Sequence, residues 1–140
     1  MRAYQSEDLT LLRLAPGTDL YEGVTEAAKE LGIGAASVAV IGALRSLEYG
    51  YYDQRTHEYT RLTHEGELEI ASANGNVSIR DGEPFLHMHI VAGKVDGSTI
   101  GGHLFGGELF VAEVAFHLFG GEPPVRELDE EIGLPMWPTR

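Results

Sequence analysis

Three histidines, His87, His89 and His103, lie in the segment Gly82 to Gly107 of a 140-residue chain with six histidines and no cysteine. Neutral imidazole nitrogens bind divalent transition metals, provided that the backbone brings them to one point. Pro84 to Val91 reads as a strand, whose side chains alternate between faces. Phe85, His87, His89 and Val91 then share one face, and Leu86, Met88 and Ile90 the other. Histidines two apart on a strand have α-carbons ~6.5–7 Å apart. That spacing lets both rings reach an ion ~2.0–2.1 Å from each nitrogen.

The third histidine depends on a turn. Val95-Asp96-Gly97 suits a three-residue hairpin loop, with Gly97 in the left-handed position that closes a type I turn and bulge. Such a loop pairs Lys94 with Ser98, and counting outward sets His103 directly opposite His89, on the same face. A two-residue Asp96-Gly97 turn would slip the register by one and send His103 to the other face. Gly101 and Gly102 before His103, and Gly106 and Gly107 after it, leave open backbone around the ring. Three histidines without cysteine suit zinc, with nickel, copper or iron as the other divalent candidates. Three protein ligands leave a fourth position open, where the ion can polarise a carbonyl or phosphoryl oxygen.

The elements that must hold this site follow from patterning. Leu9 to Leu14 is a short apolar strand ended by Ala15-Pro16-Gly17. A helix follows, with Asp19 as N-cap, Glu22 three residues on, and Leu20, Val24, Ala27, Ala28 and Leu31 at helical spacing before Gly32. Ala36 to Tyr52 is a long strand, bent at Gly42 or Gly50, with an apolar first half that belongs in the middle of a sheet. Glu58 to Thr63 is a further strand. Gly66 to Ile79 reads as two strands joined by an Asn74-Gly75 hairpin turn. Glu108 to Leu118 closes the series, with Glu113 as an acid among apolar neighbours. Glu113 is either satisfied structurally or is a candidate catalytic proton acceptor beside the metal. Glu83 and Glu108 are further acids near the histidines in sequence. The tyrosines at 49, 51, 52 and 59 read as edge or interface aromatics, and His57, His64 and His117 as ordinary surface or sheet residues. The expected fold is α+β, a largely antiparallel sheet of about seven strands with one main packed helix.

One domain spanning 1–140 is expected, with a core over about 5–120 and a tail, 121–140, that Met136 and Trp137 can anchor. No apolar run approaches the ~18–20 residues of a bilayer span, and the first residues lack a secretion-signal pattern; a cytoplasmic location is expected. Ten basic residues against 22 acidic ones give a net charge of −12. The basic residues are scattered, with no stripe to neutralise phosphates, which argues against unaided DNA binding and yields no nucleic-acid-binding residues.

Several stretches, in order, resemble the plants-and-prokaryotes conserved (PPC) domain, known from AT-hook proteins and also found alone in prokaryotes. They are Arg13-Leu14-Ala15-Pro16-Gly17, the strand Ala35 to Ala43, and Gly66 to Ser72 with Gly75-Asn76-Val77. The most distinctive are His87-Met88-His89, Asp96-Gly97 and Gly101-Gly102-His103-Leu104, followed by Glu113-Val114. The resemblance covers roughly residues 5 to 120. It implies an antiparallel sheet with a packed helix, assembly as a homotrimer, and a metal site at the three histidines. The AT-hook of the plant members, an Arg-Gly-Arg-Pro core, is not in this chain. The leading expectation is therefore a homotrimeric, metal-holding interaction or regulatory module whose partners are its own copies or another protein. The alternative is a zinc-dependent enzyme acting on a small molecule, a reading that no serine–histidine–acid spacing, HExxH helix or phosphate loop sharpens.

Overall fold

The computed structural model describes residues 1–139. The elements run β1 (Ala3–Gln5), β2 (Leu9–Leu14), α1 (Leu20–Glu30), β3 (Ala36–Asp53), β4 (Glu58–Arg80), β5 (Glu83–Gly93), β6 (Thr99–Gly106), β7 (Leu109–Leu118), β8 (Val125–Asp129) and β9 (Leu134–Met136). They form one nine-stranded sheet, in the order β1-β2-β7-β3-β6-β5-β4-β8-β9, with β3 also paired to β4. One short helix against a sheet-rich body makes the fold more β-dominated than expected.

The strand β3 organises the sheet. One of its edges pairs with β4 along its length. The other is shared: Ala36 to Leu44 pair with β7, and Glu48 to Gly50 pair with β6. Because β4 also pairs with β5, and β5 with β6, the ladder β3-β4-β5-β6 returns to its starting strand. The inward faces carry Leu44, Leu47, Met88, Ile90 and Leu104, all fully buried. The helix α1 packs on β5, β6 and β7 through Leu20, Val24, Ala27 and Ala28. Its N-cap is Asp19, as patterning predicts: one carboxylate oxygen accepts from the Glu22 N–H at 3.0 Å. The other oxygen accepts from the Gly107 N–H at 2.7 Å, which ties the start of the helix to the end of β6.

The strand count of about seven is corrected to nine. The short strands β1, β8 and β9 carry too few residues to show a period. The two strands expected over Gly66 to Ile79, and the one before them, are a single strand, β4. Asn74-Gly75 is not a turn. Gly75 lies in mid-strand between Val38 of β3 and Met88 of β5, where a Cβ would stand 1.9 Å from the His87 carbonyl oxygen. This glycine answers a need for close backbone approach, which the sequence signal cannot distinguish from a need for a turn. The reversal comes instead at Asp81 and Gly82, with φ of 51° and 79°, between the paired residues Arg80 and Glu83. Two left-handed residues in a row are what a two-residue hairpin turn requires.

The tail extends the sheet. The strand β8 pairs with the end of β4 through Ile79–Val125 and Arg80–Arg126, the only parallel ladder among the described residues. The strand β9 folds back on β8.

Candidate metal centre

The β5–β6 hairpin has the register that the three-residue loop predicts. The Lys94 N–H donates to Ser98 O at 2.8 Å and the Gly97 N–H to Lys94 O at 3.0 Å, with Gly97 at φ 84°. Outward from there Gly93 faces Thr99, Ala92 faces Ile100, and His89 faces His103. Leu86, Met88, Ile90 and Ala92 are buried on the opposite face, so burial locks the histidines onto theirs. The glycines before His103 do not leave the backbone open as expected. A Cβ on Gly101 would meet the Ile90 carbonyl oxygen at 2.3 Å, and one on Gly102 the Gly50 carbonyl oxygen at 2.4 Å. They let β6 wedge tightly between β5 and β3, which fixes the height of His103.

The three rings converge. Centroids lie 5.1 Å apart for His87–His89, 5.5 Å for His87–His103 and 5.6 Å for His89–His103. One nitrogen from each ring falls within 4.8 Å of the others. Nitrogens ~2.0–2.1 Å from a tetrahedral ion stand about 3.4 Å apart, so small side-chain rotations close the cage.

Electrostatics favour the ligating form. Burial, then the neighbouring His87 and His89, then Arg61 push the His103 imidazole down to about 4. Burial, with His89 and Arg126, lowers His87 as well. Both rings are therefore neutral near pH 7, with lone pairs available. The Nδ1 of His103 is buried without a hydrogen-bond partner, a costly arrangement that a ligand to that ring pair would relieve. Residue types, distances and protonation thus fit a divalent transition metal held by His87, His89 and His103.

Several residues around the cage were not legible in the sequence. The Tyr59 and Phe105 rings each lie 4.8 Å from His103, and Tyr52 packs on Tyr59 at 4.9 Å. Phe105 could have been found, since it lies two residues beyond His103 on one strand face. Tyr59 arrives through the Tyr52–Tyr59 register of the long β3–β4 hairpin. Arg61 sits over Phe105 at 4.0 Å. The tail closes in from both sides. On the His87 side Arg126 hydrogen-bonds Asn76, the residue opposite His87. On the Tyr59 side the Tyr52 hydroxyl donates to Ile132 O at 2.6 Å. Trp137, expected as an anchor, lies against Arg126 at 4.6 Å.

The acids do not join the cage. Glu113 is exposed, opposite Arg13 of β2 and Ile41 of β3. His103 pairs with Gly50 of β3, and the strand between residues 41 and 50 spans roughly 25–30 Å. Glu108 bridges to Arg45 at 2.8 Å, and Glu83 flanks the Asp81-Gly82 turn.

Comparison with known proteins adds to this picture. The sequence model of the Plants and Prokaryotes Conserved (PCC) domain matches residues 1–119. A metal-containing protein of Archaeoglobus fulgidus is 44% identical, with a TM-score of 0.90, over 99% of this chain and 100% of its own. A plant- and prokaryote-conserved protein of Pyrococcus horikoshii is 34% identical, with a TM-score of 0.90, over 99% of this chain and 94% of its own. A candidate DNA-binding protein of Bacteroides thetaiotaomicron, at 24% identity and a TM-score of 0.92 over 98% of this chain and 96% of its own, shares the fold. No curated protein shows significant similarity to the chain.

Proposed function

The chain belongs to the Plants and Prokaryotes Conserved (PCC) domain family, and on that premise we propose that it is a homotrimeric module holding one divalent transition metal, zinc foremost, through His87, His89 and His103. The observation that carries the metal is the convergence of three imidazoles, one nitrogen from each within 4.8 Å of the others, with the His103 Nδ1 buried and unpartnered besides. The 44% identical archaeal relative, itself described as metal-containing, supports it. A bound ion would supply Lewis acidity at its open coordination position.

Self-association is supported at the other end of the sheet. Tyr4, Leu11, Ile41 and Phe110 are 44% to 59% exposed there, along neighbouring strands β1, β2, β3 and β7. Aromatic and aliphatic side chains grouped in this way mark a protein contact. The role that follows is interaction or regulation. A net charge of −12 opposes phosphate, so the module does not grip DNA unaided.

The test is metal analysis of protein purified without a histidine tag, together with light scattering. About one transition-metal ion per chain and a trimeric mass are expected. A metal-free preparation that takes up none on addition of zinc would overturn the metal reading, and a monomeric mass the assembly. Salt-sensitive submicromolar binding to A·T-rich duplex would overturn the exclusion of DNA.

A zinc-dependent enzyme is the second reading, favoured by the open fourth position. Among the described residues the histidine cluster contains no carboxylate to move a proton. Small-molecule turnover that disappears in His103→Ala would promote it.

A further inference from the structure

Arg126 differs from three other arginines of the chain. Arg45, Arg61 and Arg80 are exposed, and each faces a carboxylate within 4.0 Å. Arg126 is 4% exposed, and among the described residues no carboxylate pairs with it. Its acceptors are all neutral. Nε donates to Ser78 Oγ at 2.7 Å, Nη1 to Pro135 O at 2.9 Å and to Met136 Sδ at 3.9 Å, and Nη2 to Asn76 Oδ1 at 2.9 Å. Phe85 and Trp137 supply ring faces at 5.3 and 4.6 Å. These contacts orient the guanidinium but leave its charge uncompensated, a costly state for a buried cation.

The place of that charge matters. Asn76 is paired directly opposite His87 on β4, so the Nη2 edge of Arg126 faces the strand position beside the cage. With its Oδ1 occupied by Arg126, Asn76 keeps its amide N–H donors free for another partner. On the far flank Arg61 lies over Phe105, which packs against His103, but its charge is met by Glu48 at 3.5 Å, so Arg126 is the unpaired cation of the two. Imidazole ligands bring no negative charge, so the charge of a divalent ion there would stand unbalanced, and no acid joins the cluster. With an ion in the cage and Arg126 beside it, this corner would be positive within a chain of net charge −12.

We infer that Arg126 and Asn76 form an oxyanion-recognition edge beside the histidine cage, so that the small molecule received there carries a carboxylate or phosphate group. The inference rests on the metal reading above for the second half of the site. Four of the five guanidinium N–H groups are taken by the contacts above, so an oxyanion would meet the remaining Nη2 N–H together with the amide N–H donors of Asn76.

Trp137 is the only tryptophan in the chain and lies on Arg126, so its emission reports on this edge. Zinc-loaded, full-length protein would be titrated with acetate and with methyl phosphate, each against sodium chloride at matched ionic strength. Metal content would be measured in parallel. A saturable change in Trp137 emission with at least one oxyanion is expected, and which one responds identifies the source. Binding should weaken at least tenfold in Arg126→Gln and recover in part in Arg126→Lys, with zinc retained in both. A chloride-like, unsaturable response in the wild-type protein overturns the inference, as does wild-type affinity in Arg126→Gln. Should Arg126→Gln fail to fold, Asn76→Ala takes its place, and unchanged oxyanion affinity there overturns it equally. Loss of zinc from the wild-type protein would sink the metal reading instead, and the same titration of metal-free protein would judge the arginine edge by itself.

Discussion

The two ends of the sheet differ in what they gather. At the β5–β6 end the side chains are polar and crowded, with three histidine nitrogens within 4.8 Å of one another and a buried Nδ1 without a partner. At the β2–β7 end they are apolar, and Leu11, Ile41 and Phe110 stand open to solvent. Both ends hang from β3, whose second half borders β6 and whose first half borders β7. A polar histidine cluster and an exposed apolar face can therefore coexist in one small fold, because register separates them by roughly nine residues of strand.

If the two ends are independent, each can be broken without the other. The largest expected effect is on the ion. His103→Ala should lower metal affinity by more than the ~10–100-fold that loss of a merely supporting partner costs, as read by competition with a chelator, while the oligomeric mass is unchanged. A concerted loss of both would show that the cage and the assembly are one structure. Next is Gly75→Ala, whose new methyl would meet the His87 carbonyl. Overpacking against backbone should cost roughly 3 kcal/mol of stability, measured by urea denaturation. Ile41→Glu is expected to weaken self-association at least about tenfold by placing a charge on an apolar contact. Light scattering across a dilution series would read this, with metal content unchanged as the control.

The smallest effect sharpens the chemistry of the polar end. His103 is held down to about 4 from an ordinary 6.5, so in metal-free protein the unfolded chain takes up this proton first as the pH falls. The stabilising contribution is complete above about pH 6.5 and is lost as the pH falls toward 4, with His87 acting in the same direction. Because both rings are only about half-buried, the slope should stay well below the ~1.4 kcal/mol per pH unit ceiling for one proton. Urea midpoints across that range, flattened in His103→Gln, would confirm it. An unchanged slope in the variant would assign the pH dependence elsewhere.

What could be read from the sequence followed the range of the interactions. The cage depends on contacts close in sequence, a three-residue loop and two alternating strands, and its register was derivable from Asp96-Gly97 and the apolar set Leu86, Met88 and Ile90. The helix start at Asp19 was equally local. Asn74-Gly75 misled because glycine serves turns and close approach alike, and only the neighbouring strands show which applies. Tyr59 and Arg126 reach the site through a long hairpin and a parallel tail ladder, and neither announces its destination in nearby residues. Glu113 looked conspicuous among apolar neighbours, yet its side of β7 is exposed, where an acid needs no special reason.

The β8–β9 tail lies beyond residues 1–119, the portion that the family's sequence model matches, yet it brings Arg126 to Asn76, the residue opposite His87. On the two proposals above, metal capture and ligand choice would be written in separate stretches of the gene product. A fragment trimmed to residues 1–119 would keep the three histidines and lose the arginine proposed to sort one guest from another.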